Sequence, residues 1–189
     1  MTKIYVVRHG ETAWNVEGKH TGRSDIPINS RGKEQAASLQ PFFASLSSQI
    51  KKVWSSPLKR AFETGQLAGF TDIQEDPRLM EWHYGAYEGK TSQEIHAEEP
   101  TWNIFADGAK NGESVEDVEK RAGEVIDMLT SFPEDQVVFS HGHFSRVLLM
   151  KWLSLPVEKA ALFSLGNAAV AVLQLSKEKR SLLQWNLQF

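Results

Sequence analysis

The sequence has no cysteine and no strong excess of charge of either sign. With Cys 0 in 189 residues, disulfide bonds and thiolate metal sites are excluded, and a reducing compartment is allowed. The 21 Lys and Arg residues against 24 Asp and Glu residues leave a net charge of −3, which gives no long-range attraction to nucleic acid. An anionic ligand therefore needs a local cluster of positive side chains.

Long hydrophobic runs are also missing. No apolar stretch reaches the roughly 18 residues that a membrane helix needs. The apolar run Ile4–Val7 is too short for the hydrophobic segment of a signal peptide. We therefore expect a cytoplasmic protein that acts without a nucleic-acid or membrane partner.

The residues that are present are typical of a globular domain, with 41% hydrophobic and 24% charged residues. The length suits one domain, since domains commonly contain ~100–200 residues. We expect a single domain over residues 1–189. Around 77–112 the apolar residues follow no single helical or strand period, so we expect a lid-like insert there with one or two short helices. The oligomeric state is left open between a monomer and a homodimer.

Predicted strands and helices alternate along the chain. The predicted strands cover residues 4–7, 53–55, 72–75 and 137–139, and a terminal hairpin covers 168–175 and 182–187 with its charged turn at 177–180. Ser30 is the predicted cap of the first helix, which is kinked or split at Pro41, and further helices are predicted to begin at Pro57, Ser114 and Phe144. This alternation predicts an α/β layer fold with a mostly parallel sheet.

Two predicted strands end in similar residues. Arg8-His9-Gly10 follows the first strand, and Ser140-His141-Gly142 follows the strand at 137–139. Because ligands of parallel sheets bind beyond the carboxyl ends of the strands, the two His-Gly pairs are expected to meet in one crevice. Arg60, near the start of a helix at the same edge, adds a second planar cation suited to phosphate. The sequence therefore predicts an anion site.

The segment V-V-R-H-G-E-T-A-W-N, Val6–Asn15, resembles the signature of the histidine phosphatase superfamily, also called the phosphoglycerate mutase-like family. Five further segments resemble the family pattern in the same order, namely Thr21–Ile28, Ser55–Thr64, Glu81–Gly89, Gly112–Ser114 and Ser140–Gly142. An R-H-G tripeptide alone is weakly specific, whereas this ordered set is highly specific. The resemblance implies a three-layer α/β/α sandwich and phosphoryl transfer through a phosphohistidine.

The resemblance assigns catalytic roles to five residues. His9 is the candidate nucleophile, because imidazole titrates near a pKa of about 6.5 and adjacent arginines disfavour its protonated form. Arg8, Arg60 and His141 are the candidate clamp on the phosphoryl oxygens. Glu81 is the candidate general acid, which later activates water. Since these groups can neutralise the phosphate themselves, we expect neither a metal nor another cofactor.

Further candidates line the expected pocket. The candidate substrate contacts are Asn15, Thr21, Gly22, Tyr84, Gly142, His143 and Arg146. Ser55 is a candidate for a hydrogen bond within the pocket. The spacing of His141 and His143 also allows metal ligation, but neither cysteines nor clustered carboxylates accompany it. His20 and His96 are expected at the surface or in the lid, and His83 is left open between a surface and a site role.

The chain departs from the mutase pattern of the family. Between Glu81 and Ser114 its cations are Lys90 and Lys110 alone, where mutases carry a longer insert with paired arginines for the glycerate carboxylate. Hydrolysis of a phosphomonoester is therefore favoured. The residues of Glu81–Gly89, with His141–Arg146, are similar to the branch that includes sedoheptulose-bisphosphatases, which implies a small sugar phosphate or bisphosphate. The alternatives are a cofactor-dependent phosphoglycerate mutase and a non-catalytic phosphate-binding or interaction protein.

Overall fold

The computed structural model describes residues 1–177 and 179–189, and within them one mixed sheet forms the centre of the molecule. Its strands are β1 Thr2–Arg8, β2 Ile50–Ser55, β3 Gln74–Glu75, β4 Asp135–Ser140, β5 Val170–Ser176 and β6 Lys179–Leu187. They lie in the order β3-β2-β4-β1-β5-β6. The β3–β2, β2–β4 and β4–β1 pairs are parallel, and the β1–β5 and β5–β6 pairs are antiparallel.

The predicted strands and the terminal hairpin are confirmed, most of them with longer bounds. β3 is shorter than predicted, at Gln74–Glu75. The predicted turn at 177–180 was wrong for Lys179 and Arg180, which belong to β6, and Glu178 lies outside the described residues.

Helices connect the strands and flank the sheet. The α-helices are α1 Ala13–Val16, α2 Ser30–Ser38, α3 Gln40–Ser45, α4 Lys59–Leu67, α5 Ser92–Glu98, α6 Ile104–Asp107, α7 Val115–Thr130 and α8 Gly142–Leu153. Short 3₁₀ turns cover Pro77–Leu79, Gly85–Tyr87 and Val157–Leu162. None of the helices in the described part of the chain is long and apolar enough to cross a membrane.

Local residue chemistry explains where these helices begin. The predicted split at Pro41 is confirmed, since α2 ends at Ser38 and Pro41 lies in the first turn of α3. The side chain of Asn29, not Ser30, caps α2 by accepting the amide of Gly32 over 2.8 Å. The prediction that the next helix starts at Pro57 was wrong by two residues, because Leu58 is extended with ψ 131° and α4 begins at Lys59.

The flanking helices pack on both faces of the sheet. In β1, Tyr5 and Val7 face a core cluster with the side chains of α3 and α4, and Ile4 and Val6 face a second cluster with α7 and α8. Alternate side chains of a strand point to opposite faces, and fully burying such an apolar side chain contributes about 1.5–3 kcal/mol. The fold is therefore the expected three-layer α/β/α sandwich of the phosphoglycerate mutase-like type.

The segment 77–112, expected to be a lid-like insert, contributes buried aromatic side chains to the second core cluster. Trp82, Tyr84, Tyr87, Trp102 and Phe105 are each at most 8% exposed and belong to the same cluster as α7 and α8. The segment also holds two short α-helices, α5 and α6. A lid-like role for part of it stays a prediction.

Candidate active site

The carboxyl ends of β1 and β4 bring the two His-Gly pairs together. Arg8 pairs with Ser140 in the parallel register, and the amide of His9 donates to the carbonyl of Ser140 over 3.0 Å. The imidazole centroids of His9 and His141 are 5.2 Å apart. The crevice that the two strand ends indicate is therefore present in the folded chain.

His9 carries a lone pair directed at this crevice. Its Nδ1 lies 2.7 Å from the carbonyl oxygen of Gly10, so that Nδ1 bears the hydrogen and donates it. Nε2 has no partner among the described residues, and His9 lines the cavity. Burial, followed by the charges of Arg60 and Arg8, holds the pKa of His9 well below its usual value. The imidazole is thus neutral and has a free Nε2, as a nucleophile requires.

Arg8 lies beside His9 on the cavity wall. Its Nη1 donates to the carbonyl of Leu165 over 2.6 Å, which fixes the guanidinium, and its buried Nε has no partner. A side chain at Gly142 would place its Cβ 3.3 Å from that Nε, which is tighter than most contacts of this kind. Gly142 therefore leaves room around a cation with unused donor capacity, as an anion site needs.

Arg60 and His141 are fully buried and do not line the cavity. Arg60 donates from Nε to Nδ1 of His141 over 3.1 Å. Its terminal nitrogens donate to the carbonyls of Thr21, Gly22 and Ser24 over 2.8–3.1 Å. In this structure Arg60 holds the loop at residues 21–24, so a direct clamp on phosphate by Arg60 and His141 stays a prediction.

The backbone amides of the loop at residues 21–24 are hydrogen-bonded as well as its carbonyls. Glu88 Oε1 accepts the amides of Gly22 and Ser24 over 2.9 and 3.1 Å. A Cβ at Gly22 would lie 2.5 Å from the carbonyl oxygen of Trp82, so only glycine fits. Gly22 therefore supports the wall behind Thr21 and does not itself line the cavity.

Glu81 is fixed by backbone amides. Its Oε1 accepts the amides of Trp82 and Phe144 over 2.9 and 2.8 Å, and its Oε2 accepts the amide of His143 over 3.0 Å. Two of these donors, the amides of His143 and Phe144, belong to the first turn of α8. Glu81 is 5% exposed and lines the same cavity as His9 and Arg8.

A cavity of about 380 Å³ joins these residues. The predicted site residues that line it are Arg8, His9, Asn15, Thr21, Glu81, Tyr84, Gly142, His143 and Arg146. Gly22, Arg60 and His141 lie behind its walls. The expectation for Ser55 was wrong, because its Oγ donates to the carbonyl of Ser56 over 2.8 Å and the side chain does not reach the cavity.

The cavity also contains residues that the sequence did not indicate. Asn167 and Leu165 reach it from the chain just before β5, because an antiparallel strand starts where its parallel neighbours end. The side-chain Nδ2 of Asn167 donates to the carbonyl of His9 over 3.3 Å and to Oδ1 of Asn15 over 3.0 Å. Behind the wall, Ser56 Oγ lies 2.8 Å from Nε2 of His141. The sequence signal that could have indicated Ser56 is its position in the S-S-P-L-K-R segment, next to Ser55.

The other histidines have separate locations. His20 was expected at the surface or in the lid, but it lines the cavity, and burial lowers its pKa to about 4. His96 is exposed, with Nε2 3.0 Å from the carbonyl of Trp102. His83 is half-buried and does not line the cavity. Among the described residues no group of three or more His, Asp or Glu side chains is arranged to hold a metal ion.

A second network surrounds the segment that carries Glu81. Arg121 donates from Nη1 to the carbonyls of Arg78 and Met80 over 2.8 and 2.6 Å. Its Nε and Nη2 each lie 2.8 Å from a carboxylate oxygen of Glu113. Glu113 also accepts the amide of His83 over 2.8 Å. The backbone is therefore held on both sides of Glu81.

Comparison with known proteins agrees with this geometry. Residues 4–188 match the family model of the histidine phosphatase superfamily, branch 1. An acid phosphatase of Mycobacterium tuberculosis is 35% identical over 90% of this chain and 85% of its own length. A probable phosphoglycerate mutase, GpmB, of Erwinia tasmaniensis is 31% identical over 90% of this chain and 84% of its own.

Two further matches cover most of the chain. A sedoheptulose 1,7-bisphosphatase of Saccharomyces cerevisiae is 30% identical over 83% of this chain and 69% of its own. A solved structure of an open-reading-frame product of Mycobacterium tuberculosis superposes with a TM-score of 0.93 and 32% identity over 99% of this chain and 98% of that one. The chain belongs to branch 1 of the histidine phosphatase superfamily and is a phosphatase.

Proposed function

We propose that this phosphatase hydrolyses small phosphomonoesters, namely sugar phosphates or bisphosphates, through a phosphohistidine at His9 and without a metal ion. The observation that carries the proposal is the state of His9. Its Nδ1 is committed to the carbonyl of Gly10 at 2.7 Å, while Nε2 stands free on the cavity beside Arg8. A neutral, oriented imidazole next to a fixed cation suits attack on a phosphoryl group.

The reaction proceeds in two displacements. The Nε2 lone pair of His9 forms a bond to phosphorus while the bond from phosphorus to the ester oxygen breaks, and the departing oxygen takes a proton from the Glu81 carboxyl. Water then attacks phosphorus and gives a proton to the Glu81 carboxylate. The bond from Nε2 to phosphorus breaks, which releases inorganic phosphate and restores His9. Arg8 neutralises the negative oxygens in both steps.

The cavity supports a small and polar substrate. Its volume of about 380 Å³ lies at the lower end of the range for small-molecule pockets. Arg146 lines it, donates from Nε to the carbonyl of Ala160 over 2.8 Å, and has no carboxylate within ion-pair distance among the described residues. A half-buried guanidinium with free terminal nitrogens favours a substrate with a second anionic group, such as a bisphosphate.

Mutase activity is the second candidate, and similarity to a probable phosphoglycerate mutase favours it. The segment 77–112 gives it little support, because neither Lys90 nor Lys110 lines the cavity. Lys90 is paired with Glu98 at 2.9 Å. We therefore favour hydrolysis over transfer to a glycerate.

A substrate panel tests the proposal. We expect phosphate release from sugar phosphates and bisphosphates to exceed release from phosphoserine, nucleotides and phosphoglycerates, and to be unaffected by EDTA. Faster interconversion of 2- and 3-phosphoglycerate than phosphate release would favour the mutase. Arg146→Ala should lower kcat/KM more for bisphosphates than for monophosphates, and Arg31→Ala, at an exposed arginine of α2, is the matched control.

Trapping the intermediate tests the mechanism. Rapid quenching with radiolabelled substrate should give an acid-labile, alkali-stable adduct at His9, and His9→Ala should abolish it. Phosphate binding without any turnover on the whole panel would favour the non-catalytic alternative. The cytoplasmic location and the choice between a monomer and a homodimer remain predictions, which cell fractionation and light scattering address.

A further inference from the structure

One wall of the cavity is built from a tyrosine and a histidine that are hydrogen-bonded to each other. Tyr84 Oη and His143 Nδ1 are within hydrogen-bond distance, and both residues line the cavity. Tyr84 is 2% exposed. The ring of Phe105 packs edge-on against His143 with centroids 5.1 Å apart. The mechanism proposed above does not use this pair.

The hydrogen bond has a defined direction. Tyr84 Oη has no other partner among the described residues, so its buried hydrogen would be unsatisfied unless it is donated to Nδ1. Burial raises the pKa of Tyr84 well above its usual value, which keeps the hydroxyl protonated. Burial, followed by the charges of Arg146, His20 and Arg8, lowers the pKa of His143 well below its usual value.

These conditions fix the tautomer of His143. A neutral imidazole that accepts at Nδ1 carries its hydrogen on Nε2. Nε2 has no partner within the described part of the chain and is not sealed from solvent, so it is left as a donor. The backbone of the same residue donates to Glu81 Oε2 over 3.0 Å, and His143 and Glu81 line the same cavity.

We propose that Tyr84 holds His143 as an Nε2–H donor to the alcohol part of the substrate, so that the enzyme selects esters with an acceptor oxygen close to the ester bond. The inference rests on the proposed hydrolysis and makes its substrate class more specific. A site that donates to a substrate oxygen discriminates against an analogue that lacks this oxygen, because the bound analogue covers the donor and leaves it unpaired.

The tautomer is measurable without any turnover. We expect long-range nitrogen–proton spectra of isotope-labelled protein at pH 7 to show a neutral His143 protonated at Nε2. Tyr84→Phe should introduce the Nδ1-protonated form. A His143 that is protonated at Nδ1 in the unmodified protein, or one that carries two protons at this pH, would overturn the inference.

The selectivity is measured with glycerol 1-phosphate and propyl phosphate, which share a carbon skeleton and differ in their hydroxyl groups. We expect the ratio of their kcat/KM values to favour glycerol 1-phosphate, and His143→Leu to lower this ratio about tenfold, the worth of one hydrogen bond. His143→Gln, which keeps an N–H donor, should restore part of the ratio. His96→Gln changes an exposed histidine and is the matched control.

The two measurements separate the inference from the proposed function. Absence of turnover on both esters and on the whole substrate panel would count against the hydrolase proposal, and the spectra would still decide the tautomer. Turnover with an unchanged ratio in His143→Leu would overturn the selectivity role and leave the hydrolysis intact.

Discussion

Arg60 donates from Nε to Nδ1 of His141 over 3.1 Å, and this bond determines where the hydrogen of the second histidine lies. With Nδ1 accepting, the hydrogen is on Nε2, which donates to Ser56 Oγ over 2.8 Å. Burial, followed by the charge of Arg60, lowers the pKa of His141 well below its usual value. His141 is thus a neutral and oriented side chain directly behind His9.

Ser56→Ala tests the importance of that orientation. The change removes the acceptor of a buried N–H, so we expect the free energy of unfolding to fall by about 1–3 kcal/mol. We also expect kcat to fall about tenfold with a smaller change in KM, because His141 then has alternative rotamers and tautomers. Chemical denaturation and steady-state kinetics provide the two measurements.

Ser55→Ala is the matched control for this prediction. Ser55 is also fully buried, but its Oγ donates only to the carbonyl of Ser56, away from the cavity. It should cost stability and leave kcat close to that of the unmodified enzyme. Equal kcat values for the two variants would show that the bond from His141 to Ser56 has no catalytic role.

The buried histidines predict a stability that decreases in acid. His20 has its pKa lowered from 6.5 to about 4 by burial, whereas the unfolded chain takes up the proton near 6.5. The unfolded state therefore binds more protons between these values, and stability is lost as the pH falls from about 6.5 to 4. The free energy of unfolding should fall by at most about 1.4 kcal/mol per pH unit for each such group.

His20→Gln should flatten this dependence. Denaturation midpoints measured from pH 7 to pH 4 give the slope, to which His9, His141 and His143 contribute with the same sign. His96→Gln, at an exposed position, is the control for loss of an imidazole. A slope that is the same in His20→Gln and in the unmodified protein would contradict the half-buried, neutral state of His20.

Arg121 links stability to the position of the candidate acid. Arg121→Lys keeps the charge but cannot hold the carbonyls of Arg78 and Met80 and the Glu113 carboxylate together. We expect the free energy of unfolding to fall by about 1–2 kcal/mol, since lysine cannot keep the bidentate contact with Glu113 and the bonds to both carbonyls. We also expect a lower kcat for substrates with poor leaving groups.

The leaving-group dependence separates a role in positioning Glu81 from general destabilisation. An aryl ester with a good leaving group needs little proton donation and should lose less activity than an alkyl ester. Arg121 also lies over the ring of Phe144, with Cζ 4.4 Å from its centroid. Arg180→Lys, over the ring of Trp152, is the control for this contact. Equal losses on both esters would contradict a role for Arg121 through Glu81.

The strand ends were predictable from the sequence because their signals are local. β-branched runs that end in Arg8-His9 and Ser140-His141 indicate buried parallel strands. The carboxyl ends of parallel strands lie at the same edge of a sheet, so this placement does not depend on the connecting segments. The split at Pro41 and the cap of α7 at Ser114 follow from equally local chemistry.

The remaining site residues depend on contacts between distant segments. His20 is covered by Tyr84 and Trp102, with ring centroids 4.9 and 5.5 Å away, and nothing near His20 in the sequence indicates this. Asn167 reaches His9 because β5 pairs with β1, a choice of neighbour that no periodicity encodes. Ser55 and Ser56 are neighbours at the end of β2, but only Ser56 contacts His141, while the Ser55 hydroxyl points elsewhere. A difference of one residue along a strand end therefore decides which side chain reaches the site.

The carbonyl of Gly10 orients His9 by accepting from Nδ1 over 2.7 Å. A Cβ at this position would lie 2.4 Å from the carbonyl oxygen of Gly32 in α2, so the backbone of Gly10→Ala must shift. We expect an overpacking cost of about 1–3 kcal/mol in the free energy of unfolding. Because the shift moves the acceptor of His9 Nδ1, kcat should fall about 100-fold, as small displacements of a reacting group do.

Gly123→Ala is the control, because a Cβ there would meet only Lys151 Cε at 3.8 Å on the outside of α7. It should raise the free energy of unfolding by about 1 kcal/mol through helix propensity and leave kcat unchanged. Gly10→Ala, by contrast, should lose far more activity than its stability change explains when both are measured well below the melting temperature. If the loss of kcat in Gly10→Ala is reversed under conditions that fully stabilise the fold, the carbonyl of Gly10 does not position the nucleophile.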